Sequence, residues 1–282
     1  MEEDERVRLE HLALNVRERV LDLATNGGCF LGASLSCVDL LVFLYARWLR
    51  FPMPGDPERD LAFLSKGHDV PALYATLAEL GHLDPALLDR HLEPDSGVYW
   101  HPNRDVPGVE FHSGSLGHLP SVGIGVACDL KLRGSRRRVV VVLGDGELDE
   151  GSVWEAFLVA AAWKLDNVWF LVDRNGFQAN ERTERLTPLE PLREKLEAFG
   201  MYVSEADGHD FASLDRAFGA EPRPGQPRAV VARTIRGKGI PSIESLADRW
   251  FCNFRSDEIE RLREELRGGA AARLESEALF VR

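Results

Sequence analysis

The sequence has no cysteine pair at metal or redox spacing. Its four cysteines, Cys29, Cys37, Cys128 and Cys252, form no CxxC and are too sparse to staple a small domain. Reduced thiols in a cytoplasmic protein are the expectation. Basic charge is in deficit, with 34 Lys and Arg against 46 Asp and Glu and a formal net charge of −12. That excludes a generic binder of nucleic-acid backbone, which needs a basic stripe. A local phosphate site built from backbone N–H groups stays open. No apolar run reaches the about 18 uninterrupted residues of a membrane span, and the richest stretch, Leu35 to Leu49, is broken by Asp39 and Arg47. The acidic start, Met1 to Arg6, has no apolar run behind a basic region, so no signal peptide is expected. Repeats and low-complexity segments are absent.

What is present suits a globular protein. With 282 residues, 44% apolar and 28% charged, the chain can fill a sizeable core. Leu9, Leu12, Val16, Val20 and Leu23 recur at helical spacing, and Asn26-Gly27-Gly28 ends that helix. Further helices are predicted over Ser36 to Leu49 and Pro71 to Leu80. From His91 to Pro120 no period is visible, and a loop of that length is usually functional.

Beyond the loop, strand and helix signals alternate. Val139 to Leu143 and Val168 to Val172 are continuous apolar, β-branched-rich runs of the kind buried in parallel sheets. A helix over Ser152 to Lys164 lies between them. Short strands at Tyr202-Val203 and Ala229 to Thr234 flank a helix over Phe211 to Phe218. The alternation predicts an α/β fold, an open, mostly parallel sheet with helices on both faces. The whole of 1–282 reads as one domain, with a helical N-terminal segment over about 1–50. A helical tail over about 256–282 is also predicted, its acidic first turn capped by Ser256 and its helix stopped at Gly268-Gly269.

Gly144-Asp145-Gly146 directly follows the first buried run, and Asn175 follows the second at roughly the 30-residue length of a βαβ unit. Parallel strands bring both to the carboxyl edge of the sheet, where open α/β sheets bind ligands. The glycines let backbone approach a ligand closely. Asp145 and Asn175 offer hard oxygen donors suited to Mg²⁺ or Ca²⁺. A Mg²⁺-dependent receiver or phosphatase would also place an Asp at a strand end, so the spacing alone leaves both readings open.

The segment GDGELDEGSVWEA followed by DRNGFQ resembles the thiamine diphosphate signature of the transketolase family. Further resemblances lie in register over about residues 20 to 255. They are GASLSCVDLL (Gly32 to Leu41), SKGHDVPALYATLAELG (Ser65 to Gly81), HPNRDVPGVEFHSGSLGH (His101 to His118) and RTIRGKGIPSIE (Arg233 to Glu244).

The resemblance implies the thiamine diphosphate-binding fold and site roles residue by residue. Asp145, Asn175 and the carbonyl of Phe177 would be ligands of Mg²⁺ or Ca²⁺. His68, Gly114, Ser115, Leu116, Gly144, Gly146 and Glu147 would contact the cofactor, with Gly146 and His68 at its diphosphate. His101 would face the reacting carbons, and His68 and His101 form the catalytic pair. Glu150 and Glu155 would lie near the contact between two active sites.

The implied activity is transfer of a two-carbon unit from a ketose or 2-oxo acid donor to an acceptor. The sequence resembles only the diphosphate-binding part of the family. A separate C-terminal subunit carrying the pyrimidine-binding domain is therefore the expected partner, in an α2β2 assembly. The chain alone is expected to be inactive, and to pair through Trp154, Phe157 and Ala160 to Ala162. The alternatives are the α chain of a 2-oxo acid dehydrogenase E1-like component and, from another class, a non-catalytic scaffold.

Three positions depart from the family pattern. Phe30 and Phe251 stand where it carries histidines that face the donor's hydroxyls, and Leu119 stands where split members often have glycine. A less polar donor, such as pyruvate, is the expectation.

Overall fold

The computed structural model describes residues 1–221 and 223–276. The chain opens with α1 (Glu3–Asp22), whose first turn places Glu3, Asp4 and Glu5 at the positive end of the helix dipole. It is followed by α2 (Leu31–Phe43), which ends in a wider π-helical turn, Leu44–Trp48. Every residue of α2 is buried. A helix without a polar face has no amphipathic period, so it begins five residues before the predicted Ser36 unannounced by the pattern. Leu31–Trp48 has the length and apolarity of a membrane span, yet 83% of that window is buried inside the protein.

The remaining elements run β1 (Leu61–Leu64), α3 (Val70–Glu79), α4 (Leu119–Leu132), β2 (Val139–Gly144), α5 (Gly151–Ala162) and β3 (Val168–Arg174). A small hairpin of β4 (Phe177–Gln178) and β5 (Glu181–Arg182) follows, then α6 (Thr183–Leu186), α7 (Leu192–Ala198), β6 (Tyr202–Asp207), α8 (Phe211–Phe218), β7 (Arg228–Arg233) and α9 (Ser256–Leu266). Residues 91–118 form the long irregular loop that the sequence predicts.

The main sheet has the order β1-β2-β3-β7-β6, and each neighbouring pair is parallel. Side chains along the inner strands alternate between two apolar layers. Val140, Val142, Trp169, Leu171, Val230 and Ala232 pack with α1, α2, α3 and α8. Val139, Val141, Leu143, Phe170, Val172 and Val231 pack with α4, α5 and α7. Two buried faces explain why β2 and β3 read as unbroken apolar runs.

Three expectations are corrected here. The C-terminal helix ends at Leu266, Gly268 turns the chain with φ +92°, and residues 269–276 carry no helix. The predicted tail beyond Ser276 lies outside the described residues. The N-cap of α9 is Arg255, whose backbone N–H donates to Glu258 Oε2 at 3.1 Å, and Ser256 is the first helical residue. On α5, Phe157 and Ala160 of the expected pairing surface are buried against the sheet because they lie on its inner face, while Leu158, Ala162 and, just beyond the helix, Trp163 are exposed.

Candidate cofactor site

Because the strands are parallel, their carboxyl ends share one edge. There β1 delivers Ser65 to Asp69, β2 delivers Asp145 to Glu147, β3 delivers Asn175 to Phe177, and β7 delivers Thr234 to Arg236. The start of α2 and the long loop close over them, leaving a cleft of about 320 Å³. Its lining includes His68, His101, Gly114, Leu116, Gly144, Asp145, Gly146, Glu147, Asn175 and Phe177. The fold thus gathers these predicted site residues. Ser115 is exposed and lies outside the lining, since its neighbours Gly114 and Leu116 are the ones turned inward. Glu150 reaches the cleft and Glu155 does not.

Under the cleft lies a buried charge network. Lys66 Nζ donates to Asp69 Oδ2 at 2.5 Å and to Asp173 Oδ2. Burial opposes the Lys66 charge, but Asp173 and Asp69 outweigh it and raise its pKa. Burial pushes Asp69 up to about 6, whereas Asp173 is held below its usual range because Lys66 overcomes the same burial. Cys37, Asp69 and Asp173 stand close enough to ligate an ion. Lys66 already occupies that cluster, its ammonium paired with both carboxylates.

Asp145 sits at the end of β2, 1% exposed. Its Oδ1 accepts from Gly146 N–H at 3.0 Å, and Oδ2 from Gly176 N–H at 2.6 Å and Arg174 Nη1 at 3.0 Å. Burial, then the nearby Asp173, lifts its pKa to about 6 against the pull of Arg174. Asn175 Nδ2 donates to Ser36 Oγ at 3.2 Å and Asp173 Oδ2 at 3.3 Å, and Oδ1 accepts from Phe177 N–H at 3.0 Å. The amide is thereby fixed, with its oxygen kept as an acceptor. A carboxylate, an amide oxygen and a backbone carbonyl form a hard donor set that fits a divalent metal such as Mg²⁺.

Glu147 ties together the segments that form the cleft. Its Oε1 accepts from Ser65 Oγ and from Gly117 N–H at 2.9 Å, and Oε2 accepts from Gly144 N–H at 3.3 Å. Burial raises its pKa. Gly114 has φ +134°, and a Cβ there would lie 2.6 Å from His101 Cδ2. Only glycine lets that loop lie against the imidazole. Burial, followed by Lys66, holds His68 well below its ordinary pKa, and burial lowers His101 as well. Both rings are therefore neutral near pH 7.

The wall opposite the charged floor is formed by Phe30 and Trp250, with Phe251 packed on Phe30 outside the lining. Phe30 stands 4.9 Å from Trp250, 5.2 Å from Phe251, 5.6 Å from His68 and 5.9 Å from His101, centroid to centroid. Phe30 and Phe251 are brought together by the residues beside them. Cys29 N–H donates to the Cys252 carbonyl at 3.0 Å, and Cys252 N–H donates back at 2.9 Å. Leu119 is buried as the first residue of α4.

Sequence reasoning missed Arg236 and Lys66, both in segments it had singled out. Arg236 lines the cleft, is 2% exposed, and has an Nε with no hydrogen-bond partner. Its guanidinium lies 4.6 Å from the centre of the Phe177 ring, and burial lowers its pKa to about 10. Gln178 Oε1, also at the cleft, is buried without a partner. A buried cation beside unsatisfied polar atoms is suited to an anionic, hydrogen-bonding ligand.

Comparisons with known proteins show what the chain is similar to in sequence and fold. The model of the family described as transketolase, thiamine diphosphate binding domain, matches residues 12–273. An apulose-4-phosphate transketolase subunit from Actinobacillus succinogenes is 40% identical over 266 residues, covering 92% of this chain and 96% of that protein. The 6-deoxy-6-sulfo-D-fructose transketolase subunit SqwG from a Clostridium species is 34% identical, covering 97% and 98%. In fold, the transketolase from Leishmania mexicana superposes with a TM-score of 0.84 at 24% identity, over 93% of this chain and 41% of that one. The transketolase from Campylobacter jejuni gives 0.83 at 24% identity, over 95% and 43%.

Proposed function

This chain belongs to the transketolase family, through its thiamine diphosphate-binding domain, and from that premise we propose that it is one subunit of a two-chain transketolase-like transferase. It takes the cofactor's diphosphate half. A separate C-terminal subunit supplies the pyrimidine-binding domain, in an α2β2 assembly in the cytoplasm. The relatives named as subunits, matched over nearly their whole length, support a divided enzyme. They favour it over an E1-like α chain or a scaffold.

The observation that carries the reading is the convergence of Asp145, Asn175 and Arg236 on one cleft at the carboxyl edge of the sheet. When bound, thiamine diphosphate supplies a nucleophilic carbon for making and breaking bonds next to a carbonyl. Asp145, Asn175 and the Phe177 carbonyl would hold Mg²⁺. Gly146 N–H, His68 and Arg236 would meet the diphosphate, and Gly114 and Leu116 the rings. His101, neutral and half-buried, can hold or release a proton beside the reacting carbons.

In the aromatic wall, Phe30 and the Phe251 packed on it offer no hydrogen-bonding group to a hydroxylated donor, and Trp250 offers only its indole N–H. This wall supports a less polar donor, such as a 2-oxo acid. The test is product analysis with the chain alone and with its co-expressed neighbour, offered pyruvate and xylulose 5-phosphate side by side. Transfer of a two-carbon unit by the pair and not by either chain alone is the expected result. Robust turnover by this chain alone would overturn the two-chain reading.

A further inference from the structure

Arg236 enters the cleft from the segment after β7, and that segment is gripped from behind at two points. Ile235 N–H donates to His209 Nε2 at 2.8 Å. Arg17 Nε donates to the Lys238 carbonyl at 3.0 Å. Between them, Gly237 N–H donates to the Gly32 carbonyl at 2.8 Å. The two outer grips are joined through one carboxylate. Arg17 Nη1 and Nη2 donate to Asp39 Oδ1 and Oδ2 at 3.0 and 2.6 Å, and His209 Nδ1 lies 2.6 Å from Oδ2. A backbone N–H can only donate, so Nε2 is the acceptor and the His209 proton sits on Nδ1, directed at Asp39.

Arg17, Asp39 and His209 come from α1, α2 and the turn after β6, and none of the three lines the cleft. Arg17 and Asp39 are 7% and 5% exposed. A buried ion pair is a poor device for stability alone, because desolvation offsets most of its attraction and apolar side chains of similar volume often do as well. What it supplies is geometry. Here it fixes the backbone one residue before Arg236 and two residues after it.

We propose that Arg17, Asp39 and His209 are positioning residues for Arg236, holding its guanidinium where an anionic diphosphate meets it. The proposal rests on the cofactor reading of the cleft. The triad acts on the ligand only through Arg236, so its effect should vanish when that guanidinium is gone.

The test is a double-mutant cycle on the two-chain complex, titrated calorimetrically with thiamine diphosphate plus Mg²⁺ and with inorganic pyrophosphate. His209→Phe, which keeps the ring and removes both nitrogens, should weaken binding roughly five- to twentyfold. In an Arg236→Met background it should change affinity by less than about twofold. His209→Gln, with one donor and one acceptor, should recover part of the loss. Hydrogen exchange in peptides covering 234–239 should accelerate in His209→Phe whether or not ligand is present. His209→Ala repeats the cycle should the phenylalanine variant not fold. Equal losses in both backgrounds, or unchanged exchange over 234–239, would overturn the triad's role while leaving the cofactor reading intact. A wild-type two-chain complex that binds neither probe would overturn the cofactor reading itself, and this inference with it.

Discussion

Arg174 Nη1 donates to Asp145 Oδ2 at 3.0 Å, so the carboxylate at the end of β2 is shared between a guanidinium from β3 and two backbone N–H groups. The same guanidinium holds Thr183 Oγ1 at 2.7 Å and Glu184 Oε1 at 2.6 Å. Asp145 is thus oriented from the strand next door, and the start of α6, just after the hairpin, is tied to the same point.

Asp145→Ala removes an ionised metal donor from this arrangement. Cofactor affinity in the presence of Mg²⁺ should fall roughly ten- to a hundredfold, since a charge-assisted contact is worth about 1.5–3 kcal/mol. Calorimetry with and without Mg²⁺ checks it. Affinity that is equal with and without the metal, in both wild type and variant, would refute the metal assignment.

Gly114→Ala places a methyl group 2.6 Å from His101 Cδ2 at φ +134°. The loop or the imidazole must move, so cofactor binding should weaken roughly five- to a hundredfold, given a strain of order 1–3 kcal/mol. Gly134→Ala is the control: it has φ +67° and no heavy atom within 4 Å of the new carbon. Its melting temperature should drop slightly with binding unchanged. Loss of binding in both variants would point to general destabilisation instead.

Phe30→His with Phe251→His restores hydrogen-bonding capacity to the wall around His68 and His101. Apolar pockets discriminate against an added hydroxyl by only about a hundredfold, so the shift toward sugar donors should be of that order or less. Paired rate measurements on the two-chain complex, with xylulose 5-phosphate and pyruvate, give the ratio. Brisk turnover of the sugar by the native complex, at about 10 s⁻¹, would sink the idea.

Burial holds the pKa of His91 down at about 4, and its Nε2 has no partner. The unfolded chain, with an ordinary histidine near 6.5, therefore binds more protons than the native one between pH 6.5 and 4. Stability should fall as pH drops through that window, and this residue's share is about 1–2 kcal/mol between pH 7 and 5. His82 and His101 are shifted in the same direction by burial. Urea titrations at the two pH values should show a smaller difference in His91→Gln than in wild type. An equal difference would mean that His91 titrates alike in the folded and unfolded chain.

The sheet and its ligand edge were legible because β2 and β3 are buried on both faces and so appear as unbroken apolar runs ending in Asp145 and Asn175. β1 was not, because four residues offer no pattern, although it delivers His68 to the cleft. Arg236 and Lys66 were hidden for a different reason. A charged residue in a glycine-rich loop is normally solvated, and only the tertiary arrangement shows these two nearly sealed from water. Ser115 shows the converse: a motif position can be matched in sequence while its side chain points outward.

The pairing of Cys29 with Cys252 has a consequence for the order in which the protein is built. Around it, Gly27 N–H meets Asn253 Oδ1 across 226 positions of sequence, and Phe254 N–H meets the Ala24 carbonyl. Such distant contacts form only after the entropy of closing a very long loop has been met. During synthesis, residues 24–30 emerge early and wait for 250–254 before the aromatic wall can exist. A nascent chain that has completed the sheet still lacks this wall, so cofactor capture should be among the last events of its maturation.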